Sequence, residues 1–212
     1  MQIVLATRNR GKLRELTRLL QTADANLQVF GLDSYPHIGA IEEPGNTFVE
    51  NAVHKASTVC QSTGLPALAD DSGLEVDALE GGPGVYSARF SGPGASDAEN
   101  NRKLLSALQG VPRESRTARF RCVLSAFLPG GRYLTVEGSW EGWIACEPRG
   151  ANGFGYDPLF VEQASGRTAA ELSEAEKNAR SHRARALQRF VRAWPAFVRD
   201  HDSYRVSISK NG

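Results

Sequence analysis

A chain of 212 residues, 41% of them hydrophobic, is long enough for one α/β unit with a sizeable core. Lys and Arg number 25 against 24 Asp and Glu, a formal charge of +1, so no global field directs the chain to nucleic acid or an anionic membrane. Cys60, Cys122 and Cys146 lack CxxC spacing, residues 2–6 are too short for a signal-peptide core, and no apolar run approaches a membrane span, so a cytoplasmic protein is expected.

Residues 2–6 are a short β-branched run expected to form a buried strand. The polar stretch Thr7, Arg8, Asn9, Arg10, Gly11 and Lys12 follows, before Leu13, Leu16, Leu19 and Leu20 begin a helical stripe. Strand, polar loop and helix in this order place unpaired backbone N–H groups where an anion is stabilised, and Lys12 adds a full charge. The other reading is a turn made by Asn9 and Gly11 with solvated cations around it. The GxxxxGK[ST] spacing of a Walker A loop is absent.

Residues 27–30 suit a second strand, and Glu42, Glu43, Pro44 and Gly45 form an acidic loop. Thr47 and Glu50 have capping-box spacing, and Phe48, Ala52, Ala56 and Val59 mark one face of a helix ending near Gly64. Lys55 in that helix, taken alone, reads as a surface charge. From Ala67 an apolar run meets Asp70 and Asp71, then Ser72 and Gly73, which predicts an acidic loop held between two strands. Two acids at a strand end can hold a hard cation such as Mg²⁺, leave one carboxylate free to take a proton from water, or make a solvated turn. Residues 81–84 are too irregular for a dinucleotide fingerprint.

Ser96 and Glu99 repeat the capping box ahead of Leu104, Leu105 and Leu108. Residues 117–128 and a second run from 132 to 136, extending towards Trp143, predict an antiparallel hairpin turned by Pro129, Gly130 and Gly131. Trp140 and Trp143 are expected to pack a core or an interface. Around Phe154 and Tyr156 the chain is rich in glycine, so the rings either stack on a flat base or tuck into the core. Ser173 and Glu176 give a third capping box, and Ser181 is expected to cap the last helix with His182 and Arg183 in its first turn. Two cations there oppose the helix dipole, a conflict resolved by an anionic or carbonyl-rich ligand or by solvation. A single domain over residues 1–197 with a polar tail over 198–212 is the expected organisation.

Taken together, Thr7 to Lys12 with Glu15, Glu43 with Thr47-Phe48-Val49-Glu50-Asn51-Ala52, Ala69 to Leu74, Gly153-Phe154-Gly155-Tyr156-Asp157-Pro158, and Lys177 with Ser181-His182-Arg183 resemble the Ham1-like inosine/xanthosine triphosphate pyrophosphatases. The resemblance implies an α/β fold with an elongated mixed sheet flanked by helices, two lobes and a central active-site cleft. It also implies a homodimer that hydrolyses ITP, dITP and XTP to the monophosphate and pyrophosphate with Mg²⁺.

By the same resemblance Thr7, Arg8, Asn9, Arg10, Gly11 and Lys12 bind the triphosphate, and Lys55 and Lys177 are further phosphate ligands. Asp71 is general base and metal ligand, Glu43 the second metal carboxylate, and Ser72 touches substrate. Phe154, Gly155, Tyr156 and Asp157 recognise the base with His182 and Arg183. The chain departs mildly from the family pattern at Pro44 and where Arg8 and Arg10 flank Asn9. The competing readings are a pyrophosphatase for modified pyrimidine nucleotides, as in the Maf-like proteins, and a nucleotide sensor that does not cleave. The sensor gains nothing from carboxylates beside phosphate.

Overall fold

The computed structural model describes residues 1–209, with side chains for all of these except Arg10, Glu15, Leu19, Thr22, Ala23 and residues 200–209. Six strands form one mixed sheet in the order β2-β1-β3-β4-β5-β6. They are β1 (Gln2–Leu5), β2 (Gln28–Gly31), β3 (Ala67–Val76), β4 (Thr117–Phe127), β5 (Tyr133–Ile144) and β6 (Phe160–Glu162). β1 lies parallel to β2 and β3, whereas β3 to β6 are antiparallel neighbours. The expected hairpin extends the full length of β4 and β5, from Phe127 paired with Tyr133 to Thr117 paired with Trp143.

The helices are α1 (Arg10–Ala23), α2 (Phe48–Thr63), α3 (Asp97–Ala107), α4 (Glu174–Arg180) and α5 (His182–Ser209). All three expected capping boxes form, at Thr47, Ser96 and Ser173, and Gly64 closes α2 in the left-handed conformation that glycine takes without steric cost. Ser181 accepts from Ala184 N at 3.3 Å, as expected of a cap on α5. Residues 198–209 of the expected tail continue α5, and residues 210–212 lie outside the described part.

Connectivity places the site. β1 is followed by α1 and β2 on one side, and the chain returns through α2 to β3 on the other, so the C-terminal end of β1 is a point where the strand order reverses. Crevices of open α/β sheets form outside such a point. β3 also outruns β1, which pairs with it only at Ala67 and Leu68.

The long strands serve two cores. At one end Leu68 of β3, Leu124 and Ala126 of β4, and Leu134 and Val136 of β5 pack with Leu16 and Leu20 of α1 and Leu187, Phe190 and Trp194 of α5. At the other end Leu74 and Val76, Ala118 and Phe120, and Trp140 and Ile144 pack with Leu104 of α3 and with Tyr156, Leu159 and Phe160. Asp70 and Asp71 fall between these clusters, where apolar packing gives way to polar groups. Trp140 is 1% exposed, in line with the core reading.

α5 lies directly on β5 because Gly138 has no side chain: a Cβ there would stand 2.2 Å from His182 O and 2.5 Å from Ala186 N. Both contacts are helix backbone, which cannot yield without moving the helix. Gly138→Ala is therefore expected to destabilise the fold by at least about 1–3 kcal/mol, the usual range for overpacking, as read from urea unfolding. An unchanged midpoint would show that α5 does not seat on β5 as described.

Candidate active site

β3 runs unbroken from Ala67 to Val76, so Asp70 and Asp71 lie inside a strand and not in the acidic loop expected from their sequence. Ten consecutive residues of β3 pair with β4, Asp70 opposite Leu124 and Asp71 opposite Val123. Because side chains alternate across a strand, the two carboxylates point to opposite faces of the sheet. Their hydrogen-bond partners differ, while the charge of Lys55 acts on both.

Asp71 faces α2. Helical spacing puts Phe48, Asn51, Ala52, Lys55, Ala56 and Val59 on the buried face of that helix. Asn51 Nδ2 donates to Asp71 Oδ2 at 3.1 Å, and Lys55 Nζ lies 3.4 Å from Asp71 Oδ1. The same ammonium lies 2.6 Å from Glu43 Oε1, and Arg89 meets the other Glu43 oxygen at 3.5 Å. Lys55 is thus a buried charge and not the surface charge its sequence position suggests. Of the two candidate acids in the loop, Glu43 reaches this cluster and Glu42 is exposed.

Burial pushes the Asp71 carboxyl above its ordinary range, Lys55 works against that, and the charge of Glu43 adds to it. Glu43 moves the other way: burial opposes ionisation, but the bond and charge of Lys55, with Arg89, hold it below the usual carboxylate range. Burial would discharge Lys55, yet Asp71, Asp70 and Glu43 together raise it. The cluster therefore holds one firmly ionised acid and one whose proton affinity is enhanced, the asymmetry a general base requires.

Asp70 faces α1 and α5. Lys12 Nζ stands 2.6 Å from its Oδ2, and Ser72 Oγ donates to the same oxygen at 3.3 Å. Burial alone would raise this carboxyl, but Lys12, Arg183 and Lys55 drive it well below the carboxylate range. Asn9 caps α1 by accepting from Gly11 N at 2.9 Å and Lys12 N at 3.1 Å, while Arg8 donates to Ile38 O. The side chain of Arg10 lies outside the described residues. Ala6, Thr7, Arg8, Lys12, Gly39, Glu43, Lys55 and Asp70 are among the residues lining a cavity of about 230 Å³ at the end of β1. A larger groove of about 440 Å³ along α1 is lined by Leu13, Arg14, Thr17, Arg18 and Gln21, with no carboxylate among the described lining residues.

The glycine-rich segment supplies one exposed ring, not two. Phe154 is 55% exposed, with Arg183 5.0 Å and Lys177 5.6 Å from its ring centroid. Tyr156 is 4% exposed and donates its hydroxyl to Ser87 O at 2.8 Å, so it tucks into the core. Buried Asp157 accepts from Phe154 N at 2.8 Å and pairs with Lys177 at 2.5 Å. Gly155 is held by Asp97, which accepts from its N–H, and by Asn101, which donates to its carbonyl. Asp97 and Asn101 have no sequence signature beyond lying in the first turns of α3, and only the fold brings them here.

His182 also departs from expectation. It is buried, stacks on Phe120 with centroids 4.9 Å apart, and is held well below an ordinary histidine by burial, then by Arg183 and Lys177. A neutral imidazole removes half of the dipole conflict expected at the start of α5. Arg183 remains, linked electrostatically to Asp70 and by ring contact to Phe154.

Glu43 and Asp71 are the residues that would hold a magnesium ion. Among the described residues no three His, Cys, Asp or Glu side chains converge to cage a metal. Mg²⁺ needs no such cage, because it takes one or two carboxylates and completes its shell with water and substrate phosphates. Glu43 and Asp71 are hard oxygen donors close enough for one charge to shift the other's proton affinity, and both contact one ammonium.

Fold and site define an α/β protein with a crevice at a strand switch that is lined by Lys12 and Lys55 together with the carboxylates of Glu43 and Asp70. The chain belongs to the Ham1 family, whose model matches residues 3–193. It is 59% identical over 203 residues to the dITP/XTP pyrophosphatase of Nitratidesulfovibrio vulgaris, covering 93% of this chain and 97% of that one. Its fold is similar to the HAM1 protein of Coxiella burnetii, with a TM-score of 0.87 and 45% identity over 92% of this chain and 99% of that one. A nucleoside-triphosphatase/dITP/XTP pyrophosphatase from Mycobacterium abscessus matches with a TM-score of 0.78 and 46% identity, covering 90% and 98%.

A histidine that stays neutral when folded but ionises near its ordinary value when unfolded gives the unfolded chain the higher proton uptake in acid. The contribution of His182 is thus intact above about pH 6.5 and falls as the pH drops below it, by up to about 1.4 kcal/mol per unit. Thermal melting between pH 8 and pH 5 should show this slope, and His182→Gln should flatten it. An equal slope in the variant would mean that His182 ionises freely in the folded protein.

Proposed function

We infer that this chain hydrolyses the non-canonical purine nucleoside triphosphates ITP, dITP and XTP to the nucleoside monophosphate and pyrophosphate. The observation that carries the reading is the Glu43-Lys55-Asp71 cluster beside the cavity that Lys12 also lines. The name dITP/XTP pyrophosphatase borne by the relative from Nitratidesulfovibrio vulgaris supports it.

A triphosphate resists attack because its oxygens repel a nucleophile, so a site must spread positive charge and set a water in line. Lys12, Lys55 and Lys177 supply the charge, and the loop from Thr7 to Lys12 receives the phosphates. Asp71, with its raised proton affinity, orients the water and accepts its proton. Glu43 and Asp71 would hold Mg²⁺, which when bound neutralises charge on the phosphate oxygens. Ser72, on the Asp70 face of β3, contacts substrate.

Base choice follows from hydrogen-bond polarity. His182 Nδ1 and Arg183 Nε are buried polar atoms without a protein partner among the described residues, and the Arg183 guanidinium lies 5.0 Å from the centroid of the exposed Phe154 ring. A keto oxygen at purine position 6 accepts from an Arg183 N–H, whereas the amino group of ATP presents donor to donor. A site built around such a bond discriminates by as much as about ten-thousandfold. Guanine shares the keto group, so any discrimination against GTP acts at position 2. The enzyme works as a homodimer in the cytoplasm, where the free thiols of Cys60, Cys122 and Cys146 stay reduced.

Pyrophosphate release from ITP, XTP, dITP, GTP and ATP at equal concentration, with Mg²⁺ or EDTA, tests the reading. Metal-dependent release confined largely to ITP, dITP and XTP is expected, and equal rates on ATP would sink the keto-group argument. Asp71→Asn is expected to lower kcat by at least about a hundredfold while nucleotide still binds. Near-normal turnover would remove Asp71 from the role.

A further inference from the structure

Asn51 belongs to the motif Thr47-Phe48-Val49-Glu50-Asn51-Ala52 but does not line the cavity at the end of β1. Its side chain is 0% exposed, which for an uncharged amide is costly unless every polar atom is matched. Both ends are matched, and to the two halves of the acidic cluster. Nδ2 donates to Asp71 Oδ2 at 3.1 Å, and Oδ1 accepts from Gly45 N at 2.8 Å. The partners fix the amide orientation chemically, since a carboxylate only accepts and a backbone N–H only donates.

We propose that Asn51 is a positioning residue that sets the angle of the Asp71 carboxylate and its register against Glu43. Asn51 and Lys55 stand one turn apart on the same face of α2, so one helix holds Asp71 at two points, Oδ2 by the amide and Oδ1 by the ammonium. The same two residues hold the acidic loop, Lys55 at Glu43 and Asn51 at Gly45. Glu50 completes the attachment by accepting from Asn46 N at 2.7 Å and Thr47 N at 3.2 Å.

Gly45 is part of the device: a Cβ there would lie 2.7 Å from Asn51 Oδ1 and 2.7 Å from Glu50 Cβ, forcing the loop away from the helix. A neutral amide suits this position better than a second cation. It fixes the direction of the Asp71 lone pairs without adding a full charge that would weaken the base.

This inference rests on the assignment of Asp71 as base, and a double-mutant cycle separates the two. Asn51→Leu removes both bonds at similar volume, and Asn51→Asp keeps an acceptor for Gly45 N but takes the donor away from Asp71. Both are expected to lose about a hundredfold in kcat, the scale of a ~1 Å misplacement, while nucleotide affinity measured by calorimetry in EDTA stays within about threefold. In the Asp71→Asn background either change should cost nothing further in residual kcat.

A folded Asn51 variant with wild-type kcat, or a loss that repeats in full on top of Asp71→Asn, overturns the proposal alone. Near-normal turnover of Asp71→Asn overturns the base assignment and the proposal with it. Should both Asn51 variants fail to fold, the unmutated enzyme still decides. Its Asn51 side-chain amide protons should exchange slowly with solvent and shift in Asp71→Asn, and rapid exchange or an unmoved resonance overturns the proposal.

Discussion

One buried ammonium sets the terms for the rest of the site. Lys55 Nζ contacts Glu43 and Asp71 and lies in the field of Asp70, so acids from two separate chain segments depend on a single cation. Burial by itself would strip the proton from a lysine, and here three negative charges outweigh that tendency. The ammonium can stand there only because α2 is fixed at both ends, by the Thr47 capping box and by Gly64. A helix that frayed at its first turn would lose its register with β3, and both carboxylates would face each other unscreened.

The sheet explains why so much charge is tolerated in one place. Two apolar clusters share β3, β4 and β5 end to end, and the polar groups occupy the interval between them. Each core supplies stability without having to enclose the site. Alternation along β3 then divides the labour, Asp71 going to the α2 face and Asp70 to the face of α1 and α5. Asp70, matched by Lys12 and in the fields of Arg183 and Lys55, anchors cations that come from distant parts of the chain.

Rigidity is distributed with the same economy around Phe154. Tyr156 and Asp157 are buried and bonded, and Gly155 is tied to Asp97 and Asn101 of α3, so Phe154 is left as an exposed ring on a fixed base. Lys177 and Arg183 lie near its ring, and His182 Nδ1 and Arg183 Nε, neighbours in sequence, are buried without a hydrogen-bond partner among the described residues.

Local order was legible in the sequence. The capping boxes at Thr47, Ser96 and Ser173, the apolar faces of α1 and α2, and the hairpin of β4 and β5 all follow from spacing over a few residues, because caps, stripes and strand alternation are short-range effects. The joint pattern of motifs likewise pointed to the family. Tertiary structure alone decided that Asp70 and Asp71 lie within a strand and part to opposite faces, that Lys55 is interior, that Tyr156 belongs to the core, and that His182 is neutral. Each of these depends on partners far along the chain, 58 residues for Asp70 with Lys12, 16 for Asp71 with Lys55 and 69 for Tyr156 with Ser87. Burial and charge are properties of what surrounds a residue once the chain has folded, and a turn-forming composition such as Asp-Asp-Ser-Gly carries no record of the strand that will pair with it.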